Sequence, residues 1–76
     1  MIKELALAVL SKPVPEFGLE PGDVGTVVHV YADGKAYEVE FMTAAGDTIE
    51  VLTLERADVR PFDGNKILHA RELTKA

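Results

Sequence analysis

The chain has 76 residues, with eight Lys and Arg against thirteen Asp and Glu, no Cys, and a formal net charge of −5. That length holds one domain with a small core, about 60% of its unfolded surface buried, and the missing cysteines exclude a disulfide framework, a cysteine-based zinc site and a thiol nucleophile. An acidic chain matches poorly the Lys and Arg contacts that displace counterions in nucleic-acid binding, no run approaches the ~20 apolar residues of a membrane span, and Met1-Ile2-Lys3-Glu4 lacks the basic start of a signal peptide, so a cytoplasmic protein is expected.

In the first ten residues, Ile2, Leu5, Ala6, Val9 and Leu10 fit helical spacing, while Leu5, Leu7 and Val9 fit the period of two of a half-buried strand. Ser11-Lys12-Pro13 ends the segment before three helical turns are complete, which favours the strand. From Lys12 to Asp23 the prolines lack ladder donors and the glycines allow positive φ, predicting a long loop. At its end Pro21-Gly22 fits the central positions of a type II turn, and Asp23 is expected to cap the turn by accepting a bond from backbone two residues on.

Val24 to Tyr31 reads as the second strand, rich in β-branched and aromatic residues. Gly25 inside it predicts a bulge or a close backbone approach. Asp33-Gly34 predicts a tight type I′ hairpin, whose two central residues both need positive φ. The partner strand is Ala36 to Met42, in which Tyr37, Val39 and Phe41 alternate with Glu38 and Glu40 on the wet face. A turn at Ala44-Ala45-Gly46-Asp47 leads into a strand from Thr48 to Leu54. Glu55 to Asp58 suits a single 3₁₀ turn, and Val59 to Phe62 a last edge strand in which Pro61 is tolerated.

Short strands joined by short hairpins predict an all-β fold, a meander that closes into a small barrel of about five strands. Residues 1–62 make the barrel domain and 63–76 a C-terminal tail. In the tail, Ile67 to Leu73 reads either as a helix of two turns started near Asn65 or as an extension strand with Ile67, His69, Arg71 and Leu73 on one side. Charge is split along the chain: residues 1–58 hold four basic and eleven acidic side chains, a net of −7, and residues 59–76 hold four basic and two acidic, a net of +2.

The run Gly22-Asp23-Val24-Gly25-Thr26-Val27-Val28, the hairpin, Tyr37 to Phe41, and the exit Asp58-Val59-Arg60-Pro61 together resemble a family of short bacterial proteins known only as a domain of unknown function. The resemblance covers about residues 5 to 62. It implies an SH3-like small β-barrel, distantly similar to the barrels of a photosystem I accessory subunit and of the nitrile hydratase β subunit. It also implies a binding or antitoxin-like role as a companion of another protein. The family offers no catalytic motif to carry over, and the tail after Phe62 exceeds what the minimal barrel needs.

The residues themselves offer little chemistry. The glycines around Asp23 are not followed by Lys-Ser/Thr or a helix, so they make no phosphate loop. His29 and His69 are the only histidines. His29 beside Glu38 and Glu40 fits a cross-strand surface pair better than a metal site, which wants three convergent ligands. Ser11, the only serine, lacks a nucleophile elbow, Glu38 and Glu40 read as a solvated strand face, and a barrel this small is expected to lack the ~300 Å³ cleft of a substrate site. No catalytic residue, cofactor or metal is expected.

Binding surfaces remain. Phe17 and Leu19 in the long loop, with Tyr31, Tyr37, Glu38 and Glu40, are the candidate protein-binding residues; Phe17, placed mid-loop, is the expected exposed anchor. Glutamates around it would select a partner with a basic surface. Pro21, Gly22, Asp23, Gly25, Asp33 and Gly34 are read as turn-forming and structural. Two other expectations compete: a nucleic-acid-binding barrel of the KOW type working through Arg60, Lys66, Arg71 and Lys75, disfavoured by the net charge, and a homodimer formed through an edge strand or the tail.

Overall fold

A computed structural model describes residues 1–73 of the chain. Five strands form: β1 (Leu7–Leu10), β2 (Val24–Tyr31), β3 (Ala36–Met42), β4 (Thr48–Glu55) and β5 (Val59–Pro61). They make one antiparallel sheet in the order β4-β3-β2-β1-β5, so the fold is all-β. Two 3₁₀ turns, Pro15–Phe17 and Arg56–Asp58, are the only helical pieces among the described residues. None of these is long and apolar enough to cross a membrane.

The second 3₁₀ turn bends the sheet. It joins β4 directly to β5, the two strands at opposite edges, so the edges must approach each other at that end and the sheet must curl. Leu54 of β4 and Val59 of β5 consequently sit in the same core cluster. The turn is held by a reciprocal cap in which the Glu55 N–H donates to Asp58 Oδ2 at 3.0 Å while the Glu55 carboxylate accepts from the Asp58 N–H. Lys12 Nζ lies 3.4 Å from the same Asp58 carboxylate.

The core sits inside the curl. Tyr37, Val39 and Phe41 of β3 point inward and are fully buried, as their alternation with glutamates predicts, and Val27 and Leu10 meet them from β2 and β1. Burying each such side chain is worth about 1.5–3 kcal/mol. Ile2 closes one end and donates its N–H to Tyr37 Oη at 3.1 Å. Leu19 closes another end from the long loop, where Val14 and Leu19 pair backbone to backbone across the first 3₁₀ turn.

Several expectations are corrected. The N-terminal strand is cut to Leu7–Leu10 because residues 3–6 turn: Ala6 N–H bonds to the Lys3 carbonyl and Leu5 takes a left-handed φ of 69°. The β2–β3 turn is shifted by one residue. Ala32 and Asp33 carry its two positive φ values, with the Gly34 N–H bonded to the Tyr31 carbonyl, and the Tyr31↔Ala36 pair holds this register. Gly34, also at positive φ, lies buried beneath Met1. The tail is neither helix nor extension strand over residues 62–73; residues 74–76 lie outside the described part.

Gly25 proves to be a close approach and not a bulge. A Cβ there would lie 2.6 Å from Val39 Cγ1 and 2.8 Å from the Glu40 carbonyl oxygen. The bulge of β2 falls at Val28, between the pairs Val27↔Val39 and His29↔Glu38. The extra residue lets both Val27 and Val30 face the core although three positions separate them.

Gly25→Ala should destabilise the fold by about 1–3 kcal/mol, because backbone and a buried side chain must both give way. Gly64→Ala, where a Cβ meets nothing within 4 Å, should stay within about 0.5 kcal/mol of the parent in the same urea titration.

Candidate protein-binding surface

The curl leaves one face of β2, β3 and β4 toward solvent. Pairing register places residues in rows across it: Thr26, Glu40 and Val51 in one, His29, Glu38 and Thr53 in the next, Tyr31, Ala36 and Glu55 in the third. Strands β2 to β4 contain four glutamates and no Lys or Arg. Glu38, Glu40 and Glu55 stand on this face, whereas Glu50 pairs with Phe41 on the other; the face is therefore acidic, and Val51, at 41% exposure, together with Tyr31, at 38%, gives it an apolar component.

Its side chains are partly fixed. Tyr31 donates its hydroxyl to Glu38 Oε2 at 2.9 Å and meets the His29 ring edge-on at 4.4 Å. The bond to Glu38 holds the Tyr31 proton and raises its pKa above the ordinary 10.0. Thr48 donates to Glu40 Oε2 at 2.8 Å. His29 Nδ1 lies 3.7 Å from Glu4 Oε1, so its ion-pairing neighbour is in the N-terminal turn, whereas Glu38 is engaged by Tyr31. Among the described residues no three His, Asp or Glu side chains converge as metal ligands.

The predicted binding residues divide between two sides of the sheet. Tyr31, Glu38 and Glu40 lie on the outer face. Leu19 and Tyr37, at 3% and 1% exposure, are core residues and offer no surface to a partner. Phe17 is half-buried against the same core, so the expected exposed anchor is a cover for the loop end of the curled sheet. A three-residue 3₁₀ turn explains the difference: Pro15 starts it, Gly18 at φ 70° ends it, and the reversal folds the loop's apolar side chains back onto the core.

Asp23 caps its turn from the other direction than expected: it accepts the Glu20 N–H, three residues back, at 2.8 Å, and not an amide two residues on. The sequence reading missed its second partner. Arg71 donates through Nε to Asp23 Oδ1 at 2.9 Å, and through Nη2 to Asp23 Oδ2 and to the Gly18 carbonyl at 2.8 Å. Glu20 Oε2 lies 3.6 Å from Nη1. This clasp straps the tail over the long loop across 48 residues of sequence. Between strap and body runs an open groove of about 830 Å³, with Val24, Phe41 and Ile49 on the body side and Phe62 and Leu73 on the tail side. The expectation of no sizeable cleft is thus corrected, because the tail supplies a wall that the sheet alone does not have.

A curled, five-stranded antiparallel sheet with an acidic outer face makes this a small all-β domain. Residues 4–61 match the family model described as Domain of unknown function (DUF4926), and the chain belongs to that family. The match ends before the strap, so Arg71 lies outside it. No curated protein and no solved structure matches the chain.

The clasp should respond to acid. Burial alone raises the Asp23 pKa, but the bonds from Arg71 and from the Glu20 N–H outweigh it and hold the carboxyl below its ordinary 3.8. A depressed folded value stabilises the clasp fully above 3.8 and loses that contribution as pH falls through the lower value. Arg71→Gln and Asp23→Asn should release the strap at neutral pH, read as severalfold faster tryptic cleavage after Lys66 with the strand amides still protected from exchange.

Proposed function

We propose that this chain is a cytoplasmic, non-enzymatic protein-binding module whose partner presents a basic surface to the outer face of β2, β3 and β4. The observation that carries this reading is the grouping of Glu38, Glu40 and Glu55 on one strand face that lacks any Lys or Arg, beside exposed Tyr31 and Val51. Flat acidic surface with a few apolar contacts suits steering of a basic partner, with the aromatic and aliphatic side chains supplying the desolvated centre. The strand order is compatible with an SH3-like barrel, and the accessory or antitoxin-like role that the family resemblance implies, as the companion of another protein, fits this reading.

The nucleic-acid alternative receives less support. Arg71 is committed to Asp23, and Lys66 lies 3.3 Å from Asp63, so two of the four basic side chains of residues 59–76 already face an internal carboxylate.

The immobilised chain should capture a partner of basic isoelectric point at low salt and hold it less well at moderate salt. Glu38→Lys with Glu40→Lys should abolish capture, whereas Phe17→Ala should leave it intact, since Phe17 lies on the other side of the sheet. Capture that survives the double charge reversal would overturn the surface assigned here. A short RNA duplex bound with a steep salt slope would favour the alternative.

A further inference from the structure

The edge of β4 is the longest exposed edge of the sheet. Among the described residues β4 pairs with β3 on one side and with nothing on the other. The register is uninterrupted from Ala36↔Glu55 to Phe41↔Glu50. Within that stretch backbone direction alternates, and two bonds show which amides face outward. Val51 N–H is taken by Glu50 Oε1 at 3.1 Å, and Glu55 N–H by Asp58 Oδ2 at 3.0 Å. Thr53, midway between them, must direct its N–H and C=O to the same open side. The edge therefore offers one uncovered residue flanked by two amides that carry carboxylate caps.

We propose that this edge is a self-association site, at which β4 of a second copy of this chain pairs antiparallel about a two-fold axis through Thr53. The sequence of the edge is self-complementary about that point. Thr53 meets its own copy and on the core side Leu52 meets Leu54, like with like, while Val51 lies opposite the aliphatic stem of Glu55. The same axis places Glu50 of each copy beside Arg56 of the other, an opposite-charge pair made twice. A shift by one residue would lose this and flip the strand faces. The β5 edge is a poorer site: it has three residues and ends in Pro61, which has no donor to give.

The caps set the strength. In the monomer Glu50 covers the Val51 amide; on pairing, that amide turns to the Glu55 carbonyl of the other copy and the Glu50 carboxylate is released toward Arg56. Each cap gives way to a ladder bond, and only the Glu50 carboxylate gains an ion pair in return, so the association is weak and concentration-dependent, as guarded edges are.

Sedimentation of the full chain from micromolar to millimolar concentration should show a monomer passing to a dimer. Thr53→Pro, tolerated because the lost amide faces outward, should stay monomeric with an unchanged circular dichroism spectrum. Arg56→Glu should weaken the dimer by about tenfold or more by setting two glutamates together, and Glu50→Arg combined with Arg56→Glu should restore it. The swap tests the register even if Thr53→Pro does not fold. A wild-type chain that stays monomeric throughout would overturn the proposal, and so would a swap that fails to restore pairing. The same holds for a dimer lost on Ile67→Ser with Leu68→Ser, which would place the contact in the tail.

Discussion

The seating of Val39 and Phe41 against the bare backbone of Gly25 is the contact around which the molecule is arranged. With no Cβ at that position, β2 lies close enough to β3 for Val39 and Phe41 to reach the interior fully buried. Once they are inside, alternation forces Glu38 and Glu40 out, which makes the acidic face a by-product of the core. The bulge at Val28 is the second consequence. It lets the far half of β2 return Val30 to the core, and it turns His29 and Tyr31 to the solvent side as an edge-to-face pair.

The curl then decides what the outer surface can do. Because the Arg56–Asp58 turn pulls β4 round to β5, the sheet has an inside filled by its own side chains and an outside reserved for contacts. Apolar residues that a flat sheet would share between two faces are drawn to one. What stays outside includes Glu38 and Glu40, and among the apolar side chains that remain exposed Val51 and Tyr31 stand beside them. Asp58 serves twice here, closing the turn through Glu55 and covering an outward amide of the edge strand.

The strap is a different kind of object. It has no regular structure, its exposed Ile67 and Leu68 make no core, and one guanidinium holds it through Asp23 and the Gly18 carbonyl. Such a segment is joined to the body by directional polar bonds, which charge state controls, and not by burial, which it does not. That separates the stability of the curled sheet from the position of the strap.

Much of the strand pattern was legible in the sequence. Strand limits for β2 and β3, the 3₁₀ turn before β5 and the inward set Tyr37, Val39 and Phe41 follow from local preference and a period of two, which any sheet must obey. The binding residues were legible only in part. Glu38 and Glu40 face outward by alternation, but Tyr31 does so only through the bulge at Val28, and Leu19 and Phe17 looked like loop surface because nothing in their neighbours shows that a 3₁₀ turn folds them inward. The bulge at Val28, the one-residue shift of the hairpin and the clasp of Arg71 on Asp23 are decided by contacts between residues far apart in the chain or by registers set elsewhere in the sheet. Local sequence determined which residues form strands and which side chains share a face; only the tertiary structure decided which face is inside, because burial depends on how the whole sheet curls.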